Sequence, residues 1–254
     1  MQPPLASSGI SPPTPKQRKG RISGLVWLLM GIGALFLAGL LLTTLRTQRQ
    51  PDNTSTLRSA GENLIGVREL ANVTAGVTFN DVYPPDAPAD KAGLVGADII
   101  NSFDGKPVRN LDEMLDLLRQ TPVGKTVEVT YVRDGETKRT KLTTISPEQF
   151  EQLVSNFEDR PAGHGQLGFE DTEAVHVEGA GISGVRLNVL SASGPAALAG
   201  IQTGDVVIEL DGVPIRNRGE FLTRVRRALP YSTVKVVVMR GSQRFEIPVK
   251  IGKR

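Results

Sequence analysis

The chain has 254 residues, of which 39% are hydrophobic and 22% charged, a balance typical of a soluble globular protein of one large or two small domains. It contains no cysteine, which excludes disulfides, thiol catalysis and cysteine-based metal sites and leans toward a bacterial periplasm. Six of the 30 Lys and Arg residues, but none of the 27 Asp and Glu, precede Asp52. The remainder therefore carries 24 basic residues against 27 acidic ones, and we expect no nucleic-acid binding.

Residues 22–45 form an uncharged apolar run. About 20 apolar residues are needed for a helix to cross the hydrocarbon core, whereas the apolar part of a signal peptide usually has about 7–15. We therefore predict one transmembrane helix at 22–45 that acts as an uncleaved anchor, preceded by a disordered Pro- and Ser-rich tail at 1–21 and followed by a linker at 46–61. Gly31, Ala34 and Ala38 share one face of this helix and could support a homo- or hetero-oligomer.

The basic residues that flank the apolar run indicate its orientation. Four precede it and two follow it: Lys16, Arg18, Lys19, Arg21, Arg46 and Arg49. Because the more positive flank stays in the cytoplasm, we predict a single-pass inner-membrane protein with its N-terminus inside and its globular part in the periplasm.

The part of the chain after the apolar run is an internal repeat with an offset of 107 residues. Ala92-Gly93-Leu94 recurs as Ala199-Gly200-Ile201, and Asp98-Ile99-Ile100 recurs as Asp205-Val206-Val207. Upstream, Ile65-Gly66-Val67 matches Leu167-Gly168-Phe169 with an offset of 102, so the second copy has a longer loop. The repeat predicts two domains of one fold, at 62–146 and 165–254.

Each copy shows the same order of elements. In the first copy the predicted strands are 76–83, 98–103, 126–132 and 137–145, and in the second they are 184–190, 205–210, 233–239 and 245–251. Asp-Gly turns at Asp104 and Asp211 each precede one helix with apolar residues at helical spacing. The fold class is therefore α+β, with a small β-barrel or sandwich and one main helix in each of two tandem domains.

A helical linker is predicted between the copies, at 147–164. Ser146 and Gln149 form a capping box, and Pro147 stands in the first turn. Phe150, Leu153, Val154 and Phe157 share one face, which either packs on a neighbouring domain or docks a partner.

Several motifs resemble a known family. In the second copy they are Leu167-Gly168-Phe169, Gly194-Pro195-Ala196, Thr203-Gly204-Asp205 and Asp211-Gly212. The first copy matches more loosely, with Leu64-Ile65-Gly66-Val67 and Asp104-Gly105, and with Asp86-Ala87-Pro88-Ala89-Asp90 where a Gly-Ser-Pro-Ala turn is usual. The pattern resembles PDZ domains of the kind found in serine proteases of the high-temperature-requirement class.

The resemblance implies binding of C-terminal or extended peptide segments, in which the peptide adds a strand to a sheet edge and backbone N–H groups capture its carboxylate. Gly66 and Gly168 suit such a loop, because a residue without Cβ lets several amides converge on an anion. The peptide-binding residues implied for the first domain are Leu64, Ile65, Gly66, Val67, Met114, Leu115 and Leu118. Those implied for the second are Leu167, Gly168, Phe169, Phe221, Leu222 and Val225.

The two helices carry opposite charges. The first has Asp112, Glu113 and Asp116, and the second has Arg218, Arg224, Arg226 and Arg227. These runs either form solvated faces or line the groove rims, in which case the first domain would favour basic peptides and the second acidic ones.

The sequence contains no recognisable catalytic motif. A serine protease triad needs His and Asp beside the nucleophile. The only histidines are His164, in the linker, and His176, in a loop that differs between the copies. We predict that His176 lies at the surface. We expect no enzyme activity, no metal and no cofactor.

Two main roles remain open, beside a weaker third option, a protease-related protein that has lost its catalytic domain. The first is a membrane-tethered, non-catalytic adaptor or sensor of the bacterial cell envelope that regulates a protease or folding factor. The second is a structural inner-membrane component of a machine similar to type II secretion, although that family usually has one PDZ domain and a separate linker domain.

Overall fold

The computed structural model describes residues 61–62, 64–177 and 181–254. The predicted cytoplasmic tail, the predicted membrane helix and the linker up to residue 60 lie outside these residues. Among the described residues, no helix is both long enough and apolar enough to span a bilayer.

The first domain is built on one six-stranded antiparallel sheet. Its elements are β1 Val67–Arg68, β2 Ala71–Val73, β3 Gly76–Thr78, β4 Asp81–Val82, α1 Pro88–Lys91, β5 Ile99–Phe103, β6 Lys106–Pro107, α2 Leu111–Gln120, β7 Thr126–Arg133 and β8 Glu136–Thr143. The sheet has the order β2-β3-β5-β7-β8 with β6 against β5, while β1 pairs separately with β4. The main helix α2 covers the sheet and buries Met114, Leu115 and Leu118.

The second domain repeats this plan after a linker helix, α3 Pro147–Glu158. Its elements are β9 Gly165–Gln166, β10 Phe169–Val177, β11 Ile182–Leu190, α4 Pro195–Leu198, β12 Val206–Leu210, β13 Val213–Pro214, α5 Arg218–Arg227, β14 Thr233–Arg240, β15 Gln243–Lys250 and β16 Gly252–Lys253. The six-stranded sheet has the order β10-β11-β12-β14-β15 with β13 against β12, and β16 pairs with β9. The α+β prediction is confirmed.

The repeat is also visible in the side-chain contacts. Asn110 and Asn217, 107 residues apart, cap α2 and α5 by accepting the N–H groups of Glu113 and Glu220, both at 2.9 Å. In the first domain Asp98, 1% exposed, accepts two hydrogen bonds of 2.6 Å from Arg133. Asp205 and Arg240 form the same pair in the second domain, at 2.7 Å. The equivalent charges therefore stabilise the same turn in both copies.

The linker helix has the predicted start. The Ser146 hydroxyl accepts the Gln149 N–H at 3.2 Å, and the Gln149 side chain accepts the Ser146 N–H at 2.9 Å, so the capping box is confirmed. Phe150 and Phe157 are buried, as expected for a face packed on the domains, whereas Leu153 is only half-buried.

Three predictions about local structure were wrong. The strand predicted at 76–83 is split into β3 and β4, because β3 pairs with β2 and β5 whereas β4 pairs with β1. The long strand β10 was not predicted, although it forms an extended hairpin with β11. His176, expected in a loop, lies in β10, but its exposure confirms the predicted surface position.

Domain 1 holds one face of the domain 2 helix α5 through a buried carboxylate. Glu220 is fully buried, and its Oε2 accepts the N–H groups of Val82 at 3.2 Å and Gly96 at 2.9 Å. Its Oε1 accepts Arg224 Nε at 2.5 Å. Burial, the largest influence, raises the pKa of Glu220 and outweighs Arg224 and the two amides, which act to lower it.

A second carboxylate bonds to the same helix from the domain 1 side. Asp90 accepts two hydrogen bonds from Arg227, at 2.5 and 2.7 Å, and lies 3.3 Å from Arg224. Burial acts to raise the pKa of Asp90, but the Arg227 hydrogen bond and the Asp86 N–H outweigh it and hold that pKa below its usual value.

Close packing and further pairs complete this interface. Thr223 on α5 donates to the fully buried Asp81, which also pairs with Arg68. Arg216 forms a two-pronged pair with Asp134 at 2.7 Å. A Cβ at Gly219 would lie 2.3 Å from the Asn80 side-chain amide, so a larger residue at this position would displace that side chain. The helix of domain 2 is therefore part of the joint between the domains.

Candidate functional site

A groove of about 400 Å³ opens on domain 2 between the start of β10 and α5. Its lining residues are Gly165, Gln166, Leu167, Gly168, Phe169, Leu222, Val225, Arg226 and Arg254. Five of the six peptide-binding residues predicted for this domain meet here, on two elements that the fold brings side by side.

The loop at the base of the groove presents free backbone donors. Within residues 64–177 and 181–254, the N–H groups of Leu167 and Gly168 have no hydrogen-bond partner. The carbonyls of the same two residues are held from behind, by Ala196 N–H at 2.8 Å and Ser191 N–H at 3.0 Å. The loop is thus fixed in position with donors available to an anion.

Glycine is required in this loop. Gly168 has φ +78°, which L side chains rarely adopt. A Cβ at this position would lie 2.7 Å from Gly194 Cα and 3.1 Å from Pro195 Cδ. The Gly-Pro start of α4 therefore packs directly against the loop, which explains why both motifs occur together in the sequence.

The apolar residues divide between groove wall and core. Leu222 is half-buried and Val225 is 4% exposed, and both line the groove. Phe221 is fully buried, with its ring centroid 5.0 Å from that of Phe169. Phe221 therefore supports the groove from beneath.

Of the four arginines predicted on the second helix, only Arg226 lines the groove. Arg224 and Arg227 bond to carboxylates at the joint between the domains, and Arg218 donates to Thr172 at 3.1 Å. Arg254 lines the groove as well and was not predicted. Its position depends on the pairing of β16 with β9, a contact between segments about 87 residues apart that no local pattern indicates.

The equivalent loop of domain 1 is occupied by its own chain. Residues 61–62 and 64–65 are helical, and Gly66 N–H donates to Glu62 O at 2.7 Å. The Glu62 side chain also accepts Leu70 N–H at 2.8 Å. Gly66 has φ +77°, and a Cβ there would lie 2.2 Å from Ala87 Cβ. This loop keeps the predicted glycine geometry, but its Gly66 donor already has a partner.

The predicted helix residues of domain 1 lie in the core. Met114, Leu115 and Leu118 are 0%, 5% and 1% exposed. A Cβ at Gly61 would stand 3.1 Å from Leu118 Cδ1, so residue 61 covers the helix where a peptide side chain would rest. Leu64 is half-buried, while Ile65 and Val67 are buried.

A larger depression of about 580 Å³ lies elsewhere on domain 1. It is lined by the end of β8, by α1 and by the linker helix, with Lys91, Lys141 and Leu153 among its residues. Neither predicted Gly-centred loop opens into it. The smaller groove of domain 2 is the better candidate, because the free loop donors, the apolar wall and the helix coincide there.

The described residues offer no metal centre, since no three His, Cys, Asp or Glu side chains among them are grouped to hold an ion. His164 and His176 also lie apart. His164 contacts Phe157, with ring centroids 5.0 Å apart, whereas His176 stands on the β10 hairpin.

A sequence model of the PDZ domain matches residues 63–144 and 165–251. The chain therefore belongs to the PDZ domain family, with two copies. Among curated relatives, a probable periplasmic serine protease do/HhoA-like of Haemophilus influenzae is 31% identical over 192 residues, which are 75% of this chain and 39% of the relative. A probable periplasmic serine endoprotease DegP-like of Ectopseudomonas mendocina is 30% identical, over 66% of this chain and 36% of the relative. The chain thus spans less than two fifths of the length of these relatives.

Solved structures with similar chains include the HtrA-type protease AlgW with a decapeptide, at a TM-score of 0.35 and 19% identity, covering half of each chain. The HtrA3 PDZ domain bound to a phage-derived ligand matches at a TM-score of 0.30 and 20% identity, over 34% of this chain and 84% of that one.

Proposed function

We propose that the chain is a membrane-tethered, non-catalytic adaptor or sensor of the bacterial cell envelope, which captures C-terminal or extended peptide segments in the groove of domain 2. The observation that carries this proposal is the loop of Leu167 and Gly168, whose N–H groups are free at the base of an apolar groove. Such a loop accepts a carboxylate, and the apolar wall accepts the last side chain of the peptide.

Domain 1 has a different role in this proposal. Its loop donor is engaged by Glu62, and its helix is covered by residue 61. The domain holds α5 in place through Glu220 and Asp90. We therefore expect peptide binding mainly at domain 2, with domain 1 as the support that keeps the groove helix fixed.

The cellular role follows from two further observations. The curated relatives are described as periplasmic serine proteases, which supports an envelope location and a partnership with a protease or folding factor. The apolar run at 22–45 supports a tether, which would raise the local concentration of the groove at one membrane surface. The alternative role in a secretion machine predicts co-purification with machine components instead of a protease.

Filling the groove tests the proposal. Leu222→Trp places a bulky side chain in the groove wall, and we expect it to weaken binding to a C-terminal peptide array by at least about tenfold, because several of the contacts of the last side chain are lost. Leu229→Trp is the matched control, since Leu229 is 56% exposed and does not line the groove. Equal binding by both variants, with wild-type melting temperatures, would contradict the proposal.

A further inference from the structure

The charged side chains that line the groove of domain 2 are both arginines. They belong to Arg226 and Arg254, and none of the nine lining residues has an acidic side chain. One terminal carboxylate at the Leu167–Gly168 loop would not require two guanidinium groups, because free N–H groups are already present there. The Arg226 guanidinium in the groove wall is therefore available to a second negative group on the ligand.

Arg226 is held at the groove by an internal carboxylate. Arg226 donates to Glu158 Oε2 at 2.7 Å, and its guanidinium lies 5.6 Å from the centre of the Phe157 ring. Glu158 Oε1 accepts the Tyr83 hydroxyl of domain 1 at 2.5 Å. The linker helix therefore orients Arg226, while domain 1 orients Glu158.

Glu158 is ionised at neutral pH. Burial acts to raise the pKa of Glu158, but the Tyr83 hydrogen bond and Arg226 outweigh it and lower that pKa. An ionised Glu158 partly neutralises the field of Arg226 at the groove. A guanidinium has five N–H donors, so Arg226 can bind a second carboxylate beside Glu158.

We propose that the domain 2 groove selects C-terminal peptides that combine an apolar last residue with an acidic side chain close upstream. Arg226 binds this acidic side chain, and Glu158 competes with it for the Arg226 guanidinium. This inference rests on the proposed peptide-binding function. It also restricts the predicted preference for acidic peptides to Arg226, because Arg224 and Arg227 pair with Glu220 and Asp90.

Domain 1 contains a natural control for Arg226. Arg119 stands 107 residues earlier, at the same position of helix α2, and pairs with Asp116 on its own helix. It has no contact with a linker carboxylate among the described residues. Arg119→Gln therefore removes an equivalent exposed charge and leaves Arg226 unchanged.

The experiment is a fluorescence anisotropy titration of the full chain with labelled Gly/Ser decapeptides that end in Ala-Ala-Val. In three matched pairs of variants of this peptide, Glu or Gln replaces one of the three residues that precede the last valine. We expect at least one Glu peptide to bind roughly 3- to 10-fold tighter than its Gln partner at low salt, as for a partly exposed charge pair, and this preference to shrink at high salt.

The variants give effects of opposite sign. Arg226→Gln should remove the preference for Glu, so that the two members of each pair bind with equal affinity, whereas Glu158→Gln should enlarge the preference. Arg119→Gln should behave as the wild type. Equal affinities of the wild type for every Glu and Gln pair would overturn the acidic selection, and a weaker preference in Glu158→Gln would overturn the competitor role. Binding of none of the peptides would instead count against the proposed function.

Discussion

Replacement of Glu220 by alanine should strongly destabilise the chain. The substitution leaves the buried N–H groups of Val82 and Gly96 without their acceptor and removes the closest partner of Arg224. A buried unsatisfied group costs about 1–3 kcal/mol, and breaking a buried ion pair costs about 3–5 kcal/mol. Because Arg224 keeps Asp90 at 3.3 Å, we expect a loss in the lower part of the ion-pair range, about 3–4 kcal/mol.

A series of three variants tests this reasoning. Glu220→Gln keeps an oxygen acceptor for the amides and should cost only about 1–2 kcal/mol. Glu113→Ala changes the equivalent position of domain 1, where the side chain is 35% exposed and bonds to Arg109, and should leave stability close to that of the wild type.

The assay is urea unfolding of the full chain followed by far-UV circular dichroism, because the one tryptophan, Trp27, lies outside both domains. The reasoning is refuted if Glu220→Ala changes the free energy of unfolding by less than about 1 kcal/mol, or if Glu113→Ala costs as much as Glu220→Ala.

Three further outcomes follow from the same contacts. Gly219→Ala should loosen the joint, because its Cβ would displace the Asn80 side chain. Limited proteolysis should then cut the linker faster than in the wild type, and equal rates would contradict this prediction. Asp98→Ala should lower the melting temperature more than Asp205→Ala, because Arg133, which loses its partner, is 15% exposed, whereas Arg240 is 32% exposed. The reverse order would show that burial of the unpaired arginine does not determine the loss of stability. The loss of unfolding free energy caused by Asp90→Asn should shrink as the pH drops below about 4, because a carboxylate with a lowered pKa stabilises the fold only where it is ionised. The loss caused by Glu220→Gln should instead shrink as the pH rises through the raised pKa of Glu220, because burial disfavours the ionised form. Urea unfolding at pH 3 to 8 checks both signs, and parallel trends would refute the assignment.

The two charged runs show where sequence reasoning ends. Four arginines on one helix predict a solvated face or a groove rim, since a helical pattern gives only the direction of each side chain around its own axis. Asp90, which pairs with both Arg224 and Arg227, lies more than 130 residues away along the chain, on domain 1. Their burial depends on how the two domains pack, which no local propensity describes.

The two Gly-centred loops show the same limit at the candidate site. Gly66 and Gly168 were both predicted from their motifs, and both have the positive φ that these motifs require. The sequence does not indicate that Glu62 would occupy the donor of the first loop while the second stays open. That difference depends on a helical turn that lies against α2 in one copy only.

The sequence by itself determined the repeat, the α+β class, the linker helix with its capping box and the position of the Gly-centred loops, because each of these depends on residues close together in the chain or on a fixed offset between two copies. Only the tertiary structure decided which loop is open, which arginine faces the groove and which are buried between the domains. These features depend on contacts between distant segments, where burial and pairing of charges outweigh local preference.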